Sequence, residues 1–249
     1  MLTQSDLDQY QQQGYLVFEA LIHGKRLAHY VALLDELVEQ ARLRRKQGDG
    51  WTYELDNSGE LKPEMLLHKI QGVCVVEPRV LDLAREPGIV QRVGALIGPN
   101  IDMFGSKFFP LLPGGGTSTK WHQDNYYFDT VSEKIVTCGI YLQDTDVENG
   151  CLKVVPRSHL WGPVEHVQDK GTYGSWVDVD ESEAVQLEVP GGTVILFDAN
   201  LLHGANKNVS NRSRYSTAWH YLPAEMELGQ FRRGAYADRH IIQERRNAV

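Results

Sequence analysis

The chain has 249 residues and a mass of 28.2 kDa, a size that fits one large domain, since β-barrels and β-sandwiches commonly reach about 200–250 residues. Hydrophobic residues make up 42% and charged residues 23% of the sequence, which is ordinary globular usage and excludes a wholly disordered chain. The formal net charge of −8 argues against nucleic acid as the main partner, because binding to phosphates requires a basic surface.

The cysteines and the apolar segments indicate where in the cell the protein is located. Cys74, Cys138 and Cys151 lie far apart in the sequence and match neither a disulfide framework nor a zinc site. The N-terminal residues lack a basic segment followed by an apolar run, and no apolar run is long enough to span a bilayer. We therefore expect a cytoplasmic protein with reduced cysteines and no membrane partner. The sequence does not indicate the oligomeric state.

Helical patterns dominate the first hundred residues. Thr3 and Asp6 match a capping box at the start of a short helix, which Gly14 would end. Apolar residues recur at spacings of three and four over Gly24–Lys46, a pattern that predicts a second helix. A third helical region, interrupted by a Pro-Gly pair, is predicted over Pro78–Ile97.

The remaining segments have a different character. Turn residues between Trp51 and Leu67 break the periodicity and predict a loop. The C-terminal segment Phe231–Arg246 has mixed charge and is predicted to be a solvated helix. After residue 100, short segments rich in β-branched and aromatic residues are separated by turns. The predicted strands are Ile101–Pro110, Lys134–Asp144, Leu152–Val155, Val185–Val189, Thr193–Asp198 and Tyr215–Leu222. Helices followed by many strands predict a mainly β protein, a sandwich or barrel flanked by helices on one face.

Two histidines and an aspartate are the candidate metal ligands. In a strand, residues two apart point to the same face, so His122 and Asp124 are expected to point together into a barrel mouth. His203 follows the apolar segment Thr193–Phe197 and is expected where that strand ends. An H-x-D pair alone commonly marks a loop edge, and a lone histidine is commonly a core residue. Together, two imidazoles and one carboxylate are the ligand set of non-haem Fe(II) oxygenases.

An arginine follows at the start of the last predicted strand. Arg214 lies eleven residues after His203, and a guanidinium inside a barrel requires an anionic partner. The carboxylate of a small ligand fits this need, because it can accept two parallel hydrogen bonds. Arg212 fits equally well by spacing alone.

An ordered series of motifs resembles the phytanoyl-CoA dioxygenase family of Fe(II)- and 2-oxoglutarate-dependent oxygenases. The resemblance covers roughly Lys69 to Leu222, most of the chain, and its motifs occur at suitable separations. They are Lys69-Ile70-Gln71, Gly98-Pro99-Asn100-Ile101, His122-Gln123-Asp124, Tyr126-Tyr127-Phe128, Glu148-Asn149-Gly150-Cys151-Leu152, Pro156-x-Ser158-His159, Gly191-Gly192-Thr193, and His203-Gly204 with Asn206, Ser210 and Arg214.

The resemblance implies a fold and a domain organisation. The family has a double-stranded β-helix core, a jelly roll of the cupin-like kind, which we expect to be buttressed here by the N-terminal helices. A single domain over 1–249 is expected, with a helical part at about 1–100, the jelly roll at about 101–222 and a tail at 223–249.

The resemblance also implies a ligand set and a reaction. His122, Asp124 and His203 match the iron ligands, and Arg214 matches the arginine that pairs with 2-oxoglutarate. The other residues implied for the co-substrate are Lys69 and Thr137. With Fe(II), 2-oxoglutarate and O2, such an enzyme hydroxylates an aliphatic C–H bond and releases succinate and CO2. Relatives also perform desaturation, cyclisation and epimerisation. The carboxylate ligand disfavours halogenation, for which relatives carry a small residue at that position.

The substrate is the least determined part. A small metabolite or natural-product intermediate is expected, in an apolar cavity. Candidate lining residues are Trp51, Tyr53, His68, Lys107, Tyr126, Phe128, Trp219 and Tyr221, although each aromatic residue could equally belong to the core. The segment Val167–Glu183 is either a lid over the barrel mouth or a solvated loop. Two rival functions remain open: a non-catalytic cupin-like metal- or ligand-binding protein, and a zinc-dependent isomerase or hydrolase, which would leave the arginine unexplained.

Overall fold

Most of the helices precede most of the strands in the computed structural model, which describes residues 1–56, 58–114, 118–168, 174–228 and 238–244. The α-helices are α1 Gln4–Gln13, α2 Gly24–Arg44, α3 Val73–Val76, α4 Leu81–Ala84, α5 Pro87–Ile97 and α6 Asp124–Phe128. Short 3-10 helices cover Pro78–Val80, Ser158–Trp161 and Glu181–Glu183. The strands are β1 Tyr15–Phe18, β2 Trp51–Tyr53, β3 Leu67–Gln71, β4 Ile101–Phe109, β5 Thr119–His122, β6 Val136–Tyr141, β7 Leu152–Val154, β8 Val185–Leu187, β9 Thr193–Asp198, β10 His203–Ala205, β11 Ser216–Pro223 and β12 Arg239–Gln243.

The described strands form two antiparallel sheets. The large sheet has the order β1-β9-β6-β11-β4-β3-β2, and β12 pairs with the same edge of β4 as β3 does, at the opposite end of the strand. The small sheet has the order β5-β10-β7-β8. Apolar residues of both sheets pack together between them, including Tyr141, Phe197, Leu152 and Val154. This arrangement is the predicted jelly-roll architecture.

Helices α1 to α5 cover the other face of the large sheet. Side chains alternate along a strand, so Cys138, Ile140 and Trp219 join the helical core, whereas their neighbours on β6 and β11 face the space between the sheets. This core also contains Leu34 and Val93 from α2 and α5. Burial of its apolar side chains stabilises the layered arrangement by about 25 cal/mol per Å² removed from water. Among the described residues, no helix is both long and apolar enough to cross a membrane.

The predicted helices are confirmed, with small shifts at their ends. The side chain and backbone of Thr3 and the carboxylate of Asp6 form the capping box, and Gly14 ends α1 in the left-handed conformation with φ of 86°. The predicted helix over Gly24–Lys46 ends at Arg44. The region Pro78–Ile97 is divided as expected, because Pro87 lacks an N–H and begins a new helix.

The prediction of a loop over Trp51–Leu67 is wrong at both ends. Trp51–Tyr53 is a strand that pairs with β3, and Leu67 is the first residue of β3. A strand of three residues is too short to show a period of two. The turn residues between the two strands belong to their connection. The first hundred residues thus contribute three strands, β1 to β3, to the large sheet.

The prediction of a terminal helix is wrong for the part of the tail that is described. Arg239–Gln243 is a strand paired with β4, and the guanidinium Nε of Arg239 lies 2.9 Å from the buried Asp102 carboxylate. Arg239, one of the charges that indicated a solvated helix, is thus buried in an ion pair. Residues 229–237 and 245–249 of the tail lie outside the described residues.

Candidate active site

The three candidate metal ligands converge at one end of the space between the sheets. Their ligand atoms all lie within 4.8 Å of one another. The Nε2 atom of His122 lies 3.6 Å from Asp124 Oδ1, and the Nε2 atom of His203 lies 3.7 Å from Asp124 Oδ2. Two imidazole nitrogens and a carboxylate at these separations can share one cation, and this donor set suits a non-haem Fe(II) ion with open coordination positions.

The chain reaches this arrangement by a route that differs from the predicted one. His122 is the last residue of β5 and Asp124 the first residue of α6, so the two side chains do not alternate along a single strand. His203 begins β10, rather than ending the strand before it, and is paired directly opposite His122. Their ring centroids are 4.2 Å apart. The convergence therefore depends on strand pairing and a helix start.

Backbone carbonyls fix the orientation of both imidazoles. The Nδ1–H of His122 donates to the carbonyl of Lys120 at 2.9 Å, and the Nδ1–H of His203 donates to the carbonyl of Leu201 at 3.0 Å. These bonds leave each Nε2 atom with its lone pair directed toward Asp124. Such a partner on the second nitrogen selects the tautomer that binds a metal.

The protonation states also suit a cation. Burial lowers the pKa of His203 to about 4, so this imidazole is neutral at physiological pH. Burial alone would raise the pKa of Asp124, but the imidazoles around it hold that pKa well below its usual range. A neutral imidazole beside an ionised carboxylate is the form that coordinates a metal without releasing a proton.

A hydrogen-bonded chain supports the carboxylate ligand from behind. The hydroxyl of Thr137 donates to Asp124 Oδ2 at 2.7 Å. Thr137 in turn accepts from Nδ1–H of His220 at 3.0 Å, and Lys107 donates to Nε2 of the same imidazole at 3.0 Å. The directions follow because a carboxylate can only accept and an ammonium can only donate. Burial and the charge of Lys107 lower the pKa of His220, which is consistent with its neutral form in this chain.

Arg214 is buried in the same space, and none of the described residues gives it an anionic partner. Its side chain donates to the hydroxyl of Ser216 at 2.6 Å and lies over the ring of Tyr141, 5.3 Å from the centroid. No carboxylate of the described residues lies within 4 Å of the guanidinium, and its buried Nε–H has no acceptor. A buried charge without a counter-ion is costly, so the site is suited to an incoming carboxylate. Arg212, the alternative, is half-exposed and paired with Asp146.

One cavity of about 640 Å³ connects the metal ligands with Arg214. Three alternate residues of β6 face it: Thr137 beside the metal ligands, Tyr141 below the guanidinium, and Gly139 between them. The backbone of Gly139 does not require glycine, because its φ is not positive. Its missing side chain instead leaves room along the path between the two ends of the cavity.

Comparison with known proteins places the chain in a family. The family model of phytanoyl-CoA dioxygenase (PhyH) matches residues 10–216. The chain belongs to the phytanoyl-CoA dioxygenase family. This membership confirms the enzyme class that the motifs predicted, an Fe(II)- and 2-oxoglutarate-dependent oxygenase.

Relatives of known name and structure are distant in sequence. A protein of Stutzerimonas stutzeri, named as a probable alpha-ketoglutarate-dependent hypophosphite dioxygenase, is 28% identical over 214 residues, which cover 83% of this chain and 73% of that protein. The crystal structure of EctD from S. alaskensis with 2-oxoglutarate and 5-hydroxyectoine has a TM-score of 0.72 at 20% identity, covering 91% of this chain and 78% of that one. The α-ketoglutarate-dependent epimerase SnoN from nogalamycin biosynthesis has a TM-score of 0.64 at 19% identity, covering 88% and 82%. The structural likeness confirms the jelly-roll fold.

Most of the aromatic residues that were candidates for lining the cavity lie outside the cavity. Trp51 and Tyr53 are buried in the helical core, where the Tyr53 hydroxyl donates to the carbonyl of Ala41 at 2.9 Å. Trp219 and Tyr221 point to the same core, because they alternate with the cavity-facing residues of β11.

The other pocket candidates divide between the cavity and the surface. Tyr126 is exposed and stacks on His166 with ring centroids 4.0 Å apart. Phe128, Lys107 and His68 line the cavity, as does the co-substrate candidate Lys69.

Three residues that sequence reasoning missed contribute to the site. They are Ser216, Gly139 and His220. Serine, glycine and histidine carry no signal of their own at these positions. Residues two apart in a strand share a face. Ser216 and His220 therefore share a face with Arg214, and Gly139 shares one with Thr137. This pattern could have indicated them if the pairing of the strands had been known.

The segment Val167–Glu183, for which the sequence leaves a lid and a solvated loop open, is described only in part, since residues 169–173 lie outside the described residues. Gly174 and Ser175 of this segment line the cavity. The hydroxyl of Tyr127 accepts from the Ser175 N–H at 2.9 Å, and Val167 pairs with Trp176 in an isolated bridge. Closure of the segment stays a prediction.

Proposed function

We propose that this chain binds Fe(II) through His122, Asp124 and His203 and holds the 5-carboxylate of 2-oxoglutarate with Arg214 and Ser216. The reaction we propose is hydroxylation of an aliphatic C–H bond in a small metabolite or natural-product intermediate, with release of succinate and CO2. The single observation that carries this proposal is the joint presence, in one cavity, of the oriented ligand triad and a buried guanidinium without a described carboxylate partner.

The protein's own residues have distinct tasks in this proposal. Iron would supply the activation of O2 and the oxidation of the substrate. The backbone carbonyls behind His122 and His203 hold the imidazoles in the binding tautomer, and the hydroxyl of Thr137 orients the carboxylate of Asp124. Thr137 thus acts on a metal ligand in our proposal, rather than on the co-substrate. Gly139 leaves room for the co-substrate between the metal ligands and Arg214.

The nature of the substrate is proposed at a coarse level. The names of relatives include ectoine and hypophosphite dioxygenases, which supports a small molecule rather than nucleic acid. Related structures include an epimerase and a carbocyclase, so epimerisation, cyclisation or desaturation are the alternative outcomes at the same site. Three free, buried cysteines support our proposal of a cytoplasmic location.

The test is succinate formation from 2-oxoglutarate in air with Fe(II), screened over a library of small metabolites. The wild-type chain is expected to form succinate in the presence of its substrate, and His122→Ala is expected to form none. His29→Ala, which removes an exposed histidine on α2 that does not line the cavity, is the matched control and should behave as wild type. Equal succinate formation by His122→Ala would contradict the ligand assignment.

A further inference from the structure

Amide side chains accompany the candidate metal ligands along the chain. Gln123 lies between the first two ligands, and Asn125 directly follows them. Asn200 precedes the third ligand, His203, by three residues. The exposed fractions of the three amide residues are 2%, 2% and 5%. A buried carboxamide is costly unless it is hydrogen-bonded, so the partners of these side chains show which segments they hold together.

The carboxamide of Gln123 joins separate backbone segments. Its Nε2 group donates to the carbonyl of Asn200 at 2.7 Å and to the carbonyl of Gly162 at 3.0 Å. Its Oε1 atom accepts from the N–H of Val164 at 3.0 Å. A flipped amide would place its oxygen against two carbonyls, so these partners fix the orientation of the side chain. Gln123 therefore ties the segment between two metal ligands to the turn that precedes the third.

Asn125 and Asn200 connect the same two segments a second time. The Nδ2 group of Asn125 donates to Asn200 Oδ1 at 2.8 Å. The backbone N–H of Asn125 donates to the carbonyl of Ala199 at 3.0 Å. The start of α6 is thus bonded to the turn at 199–202 through both side chains and backbone.

The same turn orients an imidazole ligand. The carbonyl of Leu201, within the turn, accepts from the Nδ1–H of His203 at 3.0 Å. A shift of the turn relative to α6 would therefore change the rotation of this imidazole. The pairing of β5 with β10 fixes His203 against His122, but Asp124 lies beyond β5, on α6. The distance from the carboxylate to His203 consequently depends on how α6 is attached to the turn.

We infer that Gln123, Asn125 and Asn200 are positioning residues, which hold the Asp124 carboxylate and the His203 imidazole at their separation in the metal-free protein. The inference rests on the proposed function and deepens it. A preformed triad binds a cation without first having to order its ligands, and such preorganisation increases affinity. Loss of these amide bonds should leave the strand pairing intact and loosen the triad.

The first experiment measures the affinity for Co(II) under anaerobic conditions, against a competing chelator. Co(II) is the probe because its visible absorption bands depend on the geometry of its ligands. Gln123→Met removes the side-chain hydrogen bonds with little change in volume. We expect it to lower the Co(II) affinity about 10–100-fold, the effect of losing a partner that orients a metal ligand, and to change the intensities of the bands.

A pair of milder variants tests the second connection. Asn125→Ala and Asn200→Ala each remove the bond between the two side chains, from opposite ends. Each should weaken Co(II) binding by less than Gln123→Met does. The double variant should bind about as well as Asn125→Ala alone, because one bond cannot be lost twice. Independent, additive losses would contradict an action through this bond and overturn the inference for these two residues.

Asn149→Ala is the matched control for a general loss of stability. Asn149 is fully buried and does not line the cavity. It donates to the carbonyl of Asp144 and accepts from the N–H of Asp146, both at 2.8 Å. Its replacement should lower the free energy of unfolding in denaturant but leave the Co(II) affinity and bands unchanged. A control that weakens Co(II) binding as much as Gln123→Met does would overturn the inference.

The second experiment requires no metal. Two-dimensional 1H–15N spectra of the histidine rings distinguish the Nδ1–H from the Nε2–H tautomer. Metal-free wild type should show His203 as a single Nδ1–H tautomer, and Asn149→Ala should match it. Gln123→Met should show shifted or additional His203 signals. If Gln123→Met does not fold, Asn200→Ala, which removes a single side-chain bond, replaces it in both experiments.

The two experiments separate this inference from the proposed function. Unchanged Co(II) affinity, or unchanged His203 signals, in folded amide variants would overturn the inference while the metal site stands. A wild-type protein that binds neither Fe(II) nor Co(II) would overturn the proposed function itself, and the ring spectra would still test the positioning of His203.

Discussion

Replacement of Arg214 by methionine should remove 2-oxoglutarate binding without weakening the fold. The guanidinium is buried, has an Nε–H without an acceptor and faces no carboxylate among the described residues. Its removal should cost about 2–5 kcal/mol of binding free energy, or about 30- to 5,000-fold in affinity, since a buried carboxylate loses its charged partner. Burial also lowers the pKa of Arg214, as expected for a guanidinium removed from water.

The assay is thermal or denaturant unfolding under anaerobic conditions with Fe(II), in the presence and absence of 2-oxoglutarate. At a ligand concentration 100 times its dissociation constant, wild type should gain about 2.7 kcal/mol of stability. Arg214→Met at the same concentration should gain less than about 1 kcal/mol, because its affinity is at least about 30-fold lower. Arg214→Lys keeps the charge but loses the planar fork, so it should lie between the two.

The stability of the ligand-free proteins provides the second part of this test. Without 2-oxoglutarate, Arg214→Met should be as stable as wild type or more stable, because removal of an uncompensated buried charge offsets the loss of one hydrogen bond to Ser216 and of a weak contact with Tyr141. Unchanged 2-oxoglutarate affinity in Arg214→Met would refute the reasoning. A ligand-free variant destabilised by several kcal/mol would show instead that Arg214 is structural.

Three further predictions concern other parts of the structure. Thr137→Val leaves Asp124 Oδ2 without its hydroxyl donor, so metal affinity measured against a competing chelator should fall about 10–100-fold, whereas Thr137→Ser should retain it. Equal affinity in the valine variant would exclude this support. Gly139→Val fills the space between the metal ligands and Arg214, so 2-oxoglutarate binding by calorimetry should be lost while metal affinity is unchanged; a variant that still binds 2-oxoglutarate normally would place the co-substrate elsewhere. Burial raises the pKa of Asp198 from 3.8 to about 6, so the folded chain binds this proton more tightly than the unfolded chain and loses stability as pH rises from about 4 to 6. Asp198→Asn should therefore raise the free energy of unfolding at pH 7 by about 1–3 kcal/mol but have little effect near pH 4, and an equal effect at both values in denaturant titrations would contradict this origin.

The candidate metal ligands and the candidate arginine could be named from the sequence because their residue types carry chemistry. Together with the ordered motifs around them, two histidines, an aspartate and an arginine indicate one family. Their positions in space depended on features that the sequence does not show. His122 faces His203 because β5 pairs with β10. Asp124 is positioned by the short helix α6, of which it is the first residue.

The missed strands and pocket residues have a common physical reason. The partner of Tyr15–Phe18 is β9, about 180 residues later in the chain, and local periodicity contains no information on such pairing. For the same reason, the sequence does not show on which side of the sheet Trp219 of β11 lies. In the structure it packs against the helices. The serine at 216 gained its significance only from its contact with Arg214.

The most direct test of the account is an anaerobic titration of the metal-free protein with Fe(II) and 2-oxoglutarate, followed by visible absorption. The wild-type protein is expected to develop the weak metal-to-ligand charge-transfer band of an iron complex with this co-substrate. His122→Ala should show no band, and Arg214→Met should require a far higher concentration of 2-oxoglutarate. A band of full strength in His122→Ala, or no band in a wild-type protein that demonstrably holds iron, would contradict the assignment of this site.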